Sequence, residues 1–326
     1  MCKHIAGVLF SSALLAASLP ACADAATGGF PDRPLTIVVP YPAGGSADVL
    51  TRILADGLTA RYRQPVVIEN RSGAGGHIGA EYMINAPKDG YTLMLATIAH
   101  NGAYAMYKNL RYDPPADLVP VALFAEAPNV LMVPLASPIK SVQELLASAR
   151  AHPGKLNYAS AGVGSGTHMA AELFKHMAKV DIEAIPFRGG APALAALMGG
   201  QVDMDFETGV TAHQAIASGK VRALAVTGKA RSPSFPELPT VAESGVPDYA
   251  MTLWYTISVA TGVPQDIIDK LNTDINAVIR SPAFAKRMND AGVETIVSTP
   301  AEARERNERE ARRWTEVIRA AHIELD

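Results

Sequence analysis

The chain has 326 residues, 29 basic and 32 acidic side chains, and a formal charge of −3. That length suits two domains with separate cores. The near-neutral balance has no basic stripe, which excludes a nucleic-acid surface, and aromatics at 6% exclude a broad stacking platform.

The first residues read as an export leader. Lys3 and His4 precede an uncharged apolar run from Ile5 to Leu19, then Ala21-Cys22-Ala23-Asp24-Ala25-Ala26. A charged start, a short apolar stretch and an A-x-A site predict a signal peptide over residues 1–25. Lipid attachment at Cys22 is the alternative, because Leu19-Pro20-Ala21-Cys22 loosely resembles a lipobox. Cys2 and Cys22 are the only cysteines, so the exported part is held by its core alone.

Strand and helix patterns then alternate. Leu35 to Pro40 is a β-branched strand, and Ser46 opens a helix with Val49, Leu50, Ile53, Leu54 and Leu58 on one stripe. Strands at 66–69 and 91–97 flank a helix near 79–85, which predicts a parallel α/β sheet. The pattern repeats: a strand at 129–133, a helix at 141–151 that Ser141 caps, and a strand at 156–159. A helix follows at 167–178, then a strand at 182–187, a helix at 192–198, and strands at 202–206 and 223–226. The C-terminal part resumes with a strand at 253–260, a helix at 264–279 and a long charged helix. In that last helix Glu302/Arg306, Glu305/Arg309 and Glu308/Arg312 are i,i+4 pairs, and Trp314, Val317, Ile318 and Ala321 form an apolar face. The expected architecture is two α/β lobes, residues 30–127 plus 252–326 and residues 128–251.

Three strand-to-helix junctions share one design. They are Tyr41-Pro42-Ala43-Gly44-Gly45-Ser46, Ala161 to His168 (Ala161-Gly162-Val163-Gly164-Ser165-Gly166-Thr167-His168), and Phe187-Arg188-Gly189-Gly190-Ala191. Glycines there let a ligand approach the backbone, and helix starts present free N–H donors to an anion. Three such ends on two lobes predict an anion clamped in a cleft beyond the strand ends.

No stretch spells G-x-G-x-x-G or G-K-[ST], so a nucleotide site is unsupported. Ser46 lacks the glycine of a nucleophile elbow, because Asp48 stands there. Ser165 and His168 lie three residues apart, which suits shared anion binding better than a triad. His168, Glu172 and His176 share a helical face at spacings other than H-E-x-x-H, so polar display to solvent is expected and no metal. Arg188 is placed to grip a carboxylate, or else is an exposed loop arginine. Glu207, at a strand end, could hold a ligand amino or hydroxyl group or pair with Arg188. Thr97 ends the third strand before His100 and Asn101, where capping the next helix is the plain reading.

In this order the motifs resemble the periplasmic receptors of tripartite tricarboxylate transporters, the Bug or TctC-like family. The resemblance rests on residues 39–48 (VPYPAGGSAD), 67–76 (VIENRSGAGG), 87–93 (PKDGYTL), 112–114 (YDP), 161–168 (AGVGSGTH), 199–203 (GGQVD) and 239–245 (PTVAESG). It implies an α/β fold of the two-lobe periplasmic-binding-protein type II class, each lobe an open, mostly parallel sheet flanked by helices. It also implies a small carboxylate ligand, held by backbone groups of residues 43–46 and 161–168, with Tyr41 at the cleft floor. The implied partners are a large and a small membrane subunit, for a monomeric periplasmic binding protein without catalysis. The departures are Phe187-Arg188-Gly189 for Tyr-Lys-Gly, Phe206-Glu207 for Phe-Asp, and Tyr255-Thr256 for Phe-Gly. The expected ligand-contacting set is Tyr41, Ala43, Gly44, Gly45, Ser46, Asp48, Thr97, Ala161, Gly164, Ser165, Gly166, Thr167, His168, Arg188, Gly189 and Glu207. The alternatives are a sensing receptor without transport and a Ser/His hydrolase.

Overall fold

The computed structural model describes residues 29–320 and Ile323; the expected leader, with Cys22 and Ala25, lies outside the described residues. The chain opens with β1 (Leu35–Val39), α1 (Ser46–Tyr62), β2 (Val66–Asn70), α2 (His77–Ile84), β3 (Thr92–Ala96), α3 (Ile98–Asn101) and α4 (Pro114–Asp117). It continues with β4 (Leu118–Pro134), α5 (Val142–Ala151), β5 (Asn157–Ser160), α6 (Gly166–Ala178), β6 (Glu183–Pro186), α7 (Gly190–Met198), β7 (Met204–Thr208), α8 (Gly209–Ala217) and β8 (Val221–Val226). It ends with β9 (Thr252–Ala260), α9 (Gln265–Ile279), α10 (Pro282–Asp290), β10 (Glu294–Thr295) and α11 (Pro300–Ala320).

The first sheet runs β2-β1-β3-β9-β4 and the second adds β7-β5-β6 beyond β4. As the βαβ pattern predicts, β1 pairs in parallel with β2 and β3, and β5 pairs in parallel with β6 and β7. The crossing strands run the other way: β9 is antiparallel to β3 and β4, and β4 is antiparallel to β7 and β8. β4 is much longer than the strand expected at 129–133. Its first part pairs with β9 as far as Pro128↔Thr252, and from Asn129↔Thr208 onward it pairs with β7. One strand therefore belongs to both sheets. Three prolines lie in it, Pro120, Pro128 and the terminal Pro134; the register shifts next to Pro120, as a residue without an N–H requires.

Packing follows the sequence stripes. Leu50, Leu54 and Leu58 of α1 are buried with Ile37 and Val39 of β1. Each such leucine contributes about 2 kcal/mol of apolar burial. β9 is buried along almost its whole length because it has neighbours on both sides. Ser141 caps α5, its hydroxyl accepting from the Glu144 N–H at 3.2 Å. In α11, Trp314 and Ile318 are buried as expected. Arg306, however, pairs with Glu126 of β4 at 2.6 Å, and Glu302 caps the helix start by accepting from the Thr299 N–H at 2.8 Å. Surface helix pairs are weak, so docking α11 on β4 prevails. Among the described residues no helix is long and apolar enough to cross a membrane.

Candidate anion-binding cleft

The loops at the carboxyl ends of the strands in both sheets enclose a cleft with about 670 Å³ of empty volume. One wall is Tyr41, Pro42, Ala43, Gly45 and Ser46 with Thr97 and Ile98; the other is Ala161, Ser165, Gly166, Thr167, Gly190, Ala191 and Glu207. Thr208 and Thr211 of α8, and Leu253, Trp254 and Tyr255 of β9, complete it. No lysine or arginine is on these walls.

The helix starts give the cleft its polarity. α1 and α7 begin after Gly45 and Gly189, neither of which supplies a side-chain cap. Their first N–H groups therefore keep their donor capacity, and the helix dipoles add positive potential. Ser165 does cap α6, accepting from the His168 N–H at 3.3 Å. The Thr167 hydroxyl accepts from the Ala161 N–H at 2.8 Å, which closes the 161–167 loop on itself.

Several expected contact residues instead shape the loops. Asp48 is buried, and its carboxylate accepts from Gly44 N–H at 3.0 Å, Asn70 Nδ2 at 2.9 Å and Arg52 Nε and Nη2 at 2.9 Å each. Burial raises this carboxyl, but those four donors outweigh it and hold it below the usual aspartate range. Gly44 serves that bond rather than the cleft wall. The Tyr41 hydroxyl shares a hydrogen bond with Thr97 Oγ1 at 2.9 Å and donates to the Gly75 carbonyl at 3.3 Å. Burial pushes its phenol up to about 12, the Thr97 bond working against it. Thr97 caps α3, its own N–H donating to His100 Nδ1 at 3.2 Å, as the capping reading anticipated.

His168 is buried rather than displayed to solvent, and its Nδ1 accepts from the Gly164 N–H at 3.4 Å. Burial brings it down to about 4, so it is neutral. Glu172 accepts from Tyr158 and from Lys175, each at 2.6 Å. Arg188 is exposed and is not brought to this cleft. With Gly189 it lines a second cavity bounded by Pro40 to Pro42, Ser72 to Gly76, Gly162 and Phe187. The exposed-loop alternative describes its position.

The two halves touch across the cleft. The Ser46 hydroxyl meets that of Thr208 and lies 3.4 Å from that of Thr211. Tyr107 donates to the Val163 carbonyl at 2.9 Å. Gly189, at φ 114°, lies so close to Pro42 that a Cβ would come within 2.9 Å of the ring. Gly164, at φ 77°, packs on the Tyr107 hydroxyl in the same manner. Only glycine combines this backbone with this approach.

Glu207 is buried at the end of β7, one residue before its last, as expected of a strand end. Its Oε1 accepts from Thr208 N–H at 2.7 Å, Thr208 Oγ1 at 3.2 Å and Thr211 Oγ1 at 2.6 Å. It does not pair with Arg188. Sequence reasoning missed Thr208, Thr211 and the Leu253-Trp254-Tyr255 wall. A Thr-Gly step between strand and helix at 208–209 repeats the junction design and was the available signal. Among the described residues no group of acidic, histidine or cysteine side chains is arranged to hold a metal.

Comparison with known proteins agrees with this architecture. Residues 50–323 match the model of the tripartite tricarboxylate transporter family receptor. Protein BugT of Bordetella pertussis is 35% identical over 323 residues, 98% of this chain and 97% of that protein. The structure of R. palustris Rpa4515 with adipate superposes with a TM-score of 0.87 at 36% identity, covering 90% of this chain and 98% of the other. MatC (Rpa3494) from Rhodopseudomonas palustris, with bound malate, gives 0.84 at 33% identity, covering 89% and 100%.

Proposed function

The chain belongs to the tripartite tricarboxylate transporter receptor family, and from that premise we propose that it is a periplasmic solute-binding protein for a small dicarboxylate. It captures the ligand between its lobes and delivers it to the large and small membrane subunits of a secondary transporter, without catalysing a reaction. The observation that carries this is the pair of uncapped helix starts, α1 and α7, on the walls of one cleft that has no cationic side chain. Backbone donors and dipoles at such sites favour carboxylate or phosphate, and the apolar wall of Pro42, Ile98, Leu253 and Trp254 suits a short carbon chain. The relatives named with adipate and malate fall in that ligand class. Lobes of 30–127 plus 252–326 and 128–251 meet at the partner change of β4 and the start of β9, where we place the hinge.

A thermal-shift screen over mono-, di- and tricarboxylates, acidic amino acids and sugars tests the reading. A ligand that binds only the folded protein raises the unfolding midpoint. A dicarboxylate that does so and is recovered chemically unchanged is the expected result. A screen in which only sugars or cations raise the midpoint would overturn it.

A further inference from the structure

Apart from its backbone N–H groups, the cleft can offer an anion only the hydroxyls on its walls, because no lysine or arginine stands there. Nearly all of those hydroxyls are already engaged within the protein. Tyr41 shares its hydrogen bond with Thr97, Ser46 meets Thr208, Ser165 lies 3.2 Å from Thr167 Oγ1, and Thr211 donates to Glu207 at 2.6 Å. Glu207 itself presents nothing to a ligand: Oε1 is taken by these donors, and Oε2 is sealed from solvent.

Tyr255 of β9 is the exception. It is only 3% exposed, and its ring packs on Phe124 with centroids 6.4 Å apart. Its hydroxyl makes no hydrogen bond to a described residue, yet it is not among the sealed side-chain oxygens, so a water-sized molecule can touch it. The opening through which it is touched is the cleft, since Tyr255 lines that space and not the second cavity beside Arg188. The surroundings of the phenol agree. Burial pushes it above its ordinary range, and the neighbours that add to this are Tyr41 and Glu207, both on the cleft walls. The group therefore keeps its proton at neutral pH.

An ionised carboxylate only accepts hydrogen bonds, whereas a protonated phenol can donate one. A hydroxyl bonded to a charged acceptor makes a bond about twice as strong as one between neutral groups. We propose that Tyr255 is the side chain that grips the ligand, its Oη–H donating to a carboxylate oxygen of the bound dicarboxylate. This rests on the carboxylate reading and names the residue that recognises the ligand where the backbone of the helix starts does not. Because the hydroxyl serves no protein partner, it belongs to binding and not to folding.

The test is Tyr255→Phe, which removes the hydroxyl and keeps the ring on Phe124. Calorimetric titration of the exported chain with adipate and malate should show affinity lower by about tenfold or more. Thermal unfolding without ligand should stay within about 2 °C of the wild type, because no bond inside the protein is lost. In stopped-flow measurements the loss should appear as faster dissociation, as expected of a bond made in the bound complex. Unchanged affinity for both probes overturns the proposal. So does a weaker affinity accompanied by a midpoint lowered by more than about 5 °C, which would give the hydroxyl a structural role. A loss confined to the association rate overturns it as well. If neither adipate nor malate binds the wild type, the dicarboxylate reading itself fails and Tyr255 has no ligand to hold; if the wild type binds them and Tyr255→Phe binds them equally, only the role of Tyr255 fails.

Discussion

The Tyr107 hydroxyl donates to the Val163 carbonyl at 2.9 Å, tying the segment after α3 to the loop that opens α6. The two residues lie on opposite sides of the cleft, so this bond exists only while the sides touch. Tyr107→Phe removes the donor and leaves the ring against His77. A net hydrogen bond is worth about 1 kcal/mol, which predicts roughly a fivefold weaker dicarboxylate affinity in calorimetry. An unchanged affinity would mean that the bond plays no part in the bound form.

Gly189→Ala attacks the same closure sterically. A Cβ there would meet the Pro42 ring at 2.9 Å, at a φ of 114° that side chains seldom adopt. Parting of the two loops relieves the clash, so affinity should fall about tenfold or more while the loss of stability stays near about 1 kcal/mol. Comparing titration with thermal unfolding separates the two effects.

Asp48 holds the first loop together. Asp48→Asn cannot serve Gly44, Asn70 and both Arg52 nitrogens as an acceptor, and should cost about 2 kcal/mol in denaturant unfolding. Its folded-state pKa is depressed, so its contribution is present above the unfolded aspartate value and is lost as pH falls through the folded one. The stability difference between wild type and variant should therefore shrink in acid.

Three buried histidines predict a second acid effect at higher pH. Burial brings His77 down to about 3, and His100 and His168 down to about 4. The unfolded chain then binds protons that the folded chain refuses. Stability is complete above roughly pH 6.5 and declines below it, by up to about 1.4 kcal/mol per pH unit for each histidine. His100→Gln should make the decline shallower by one histidine's share. A stability curve flat between about pH 6.5 and 4.5 would contradict the buried neutral state.

Arg188→Ala should change dicarboxylate affinity by less than about twofold, because this exposed side chain borders the second cavity rather than the cleft. A loss of about tenfold in titration would bring Arg188 back to the ligand.

These placements mark how far the sequence could be read. The α/β alternation, the helix stripe of Leu50, Leu54 and Leu58 and the three glycine junctions were legible because each depends on local spacing. The long β4 was not. Pro120 and Pro128 interrupt its pattern, and only pairing with β9 on one side and β7 on the other makes it one strand. Asp48 and Arg188 were assigned by their nearness in sequence to glycine loops. Which way a loop side chain turns depends on partners such as Arg52 and Asn70 that sequence spacing does not reveal. Thr208 and Thr211 were missed because α8 carries no strong amphipathic stripe. The saturation of Glu207 Oε1 needs that helix in place.

The most direct test of the central claim is a calorimetric comparison of adipate with its uncharged dimethyl ester against the exported chain. Helix starts that recognise an anion predict that adipate binds and that the ester, similar in shape but without charge, binds at least about a hundredfold more weakly. Equal binding of acid and ester, or binding of neither, would contradict a cleft built for carboxylates.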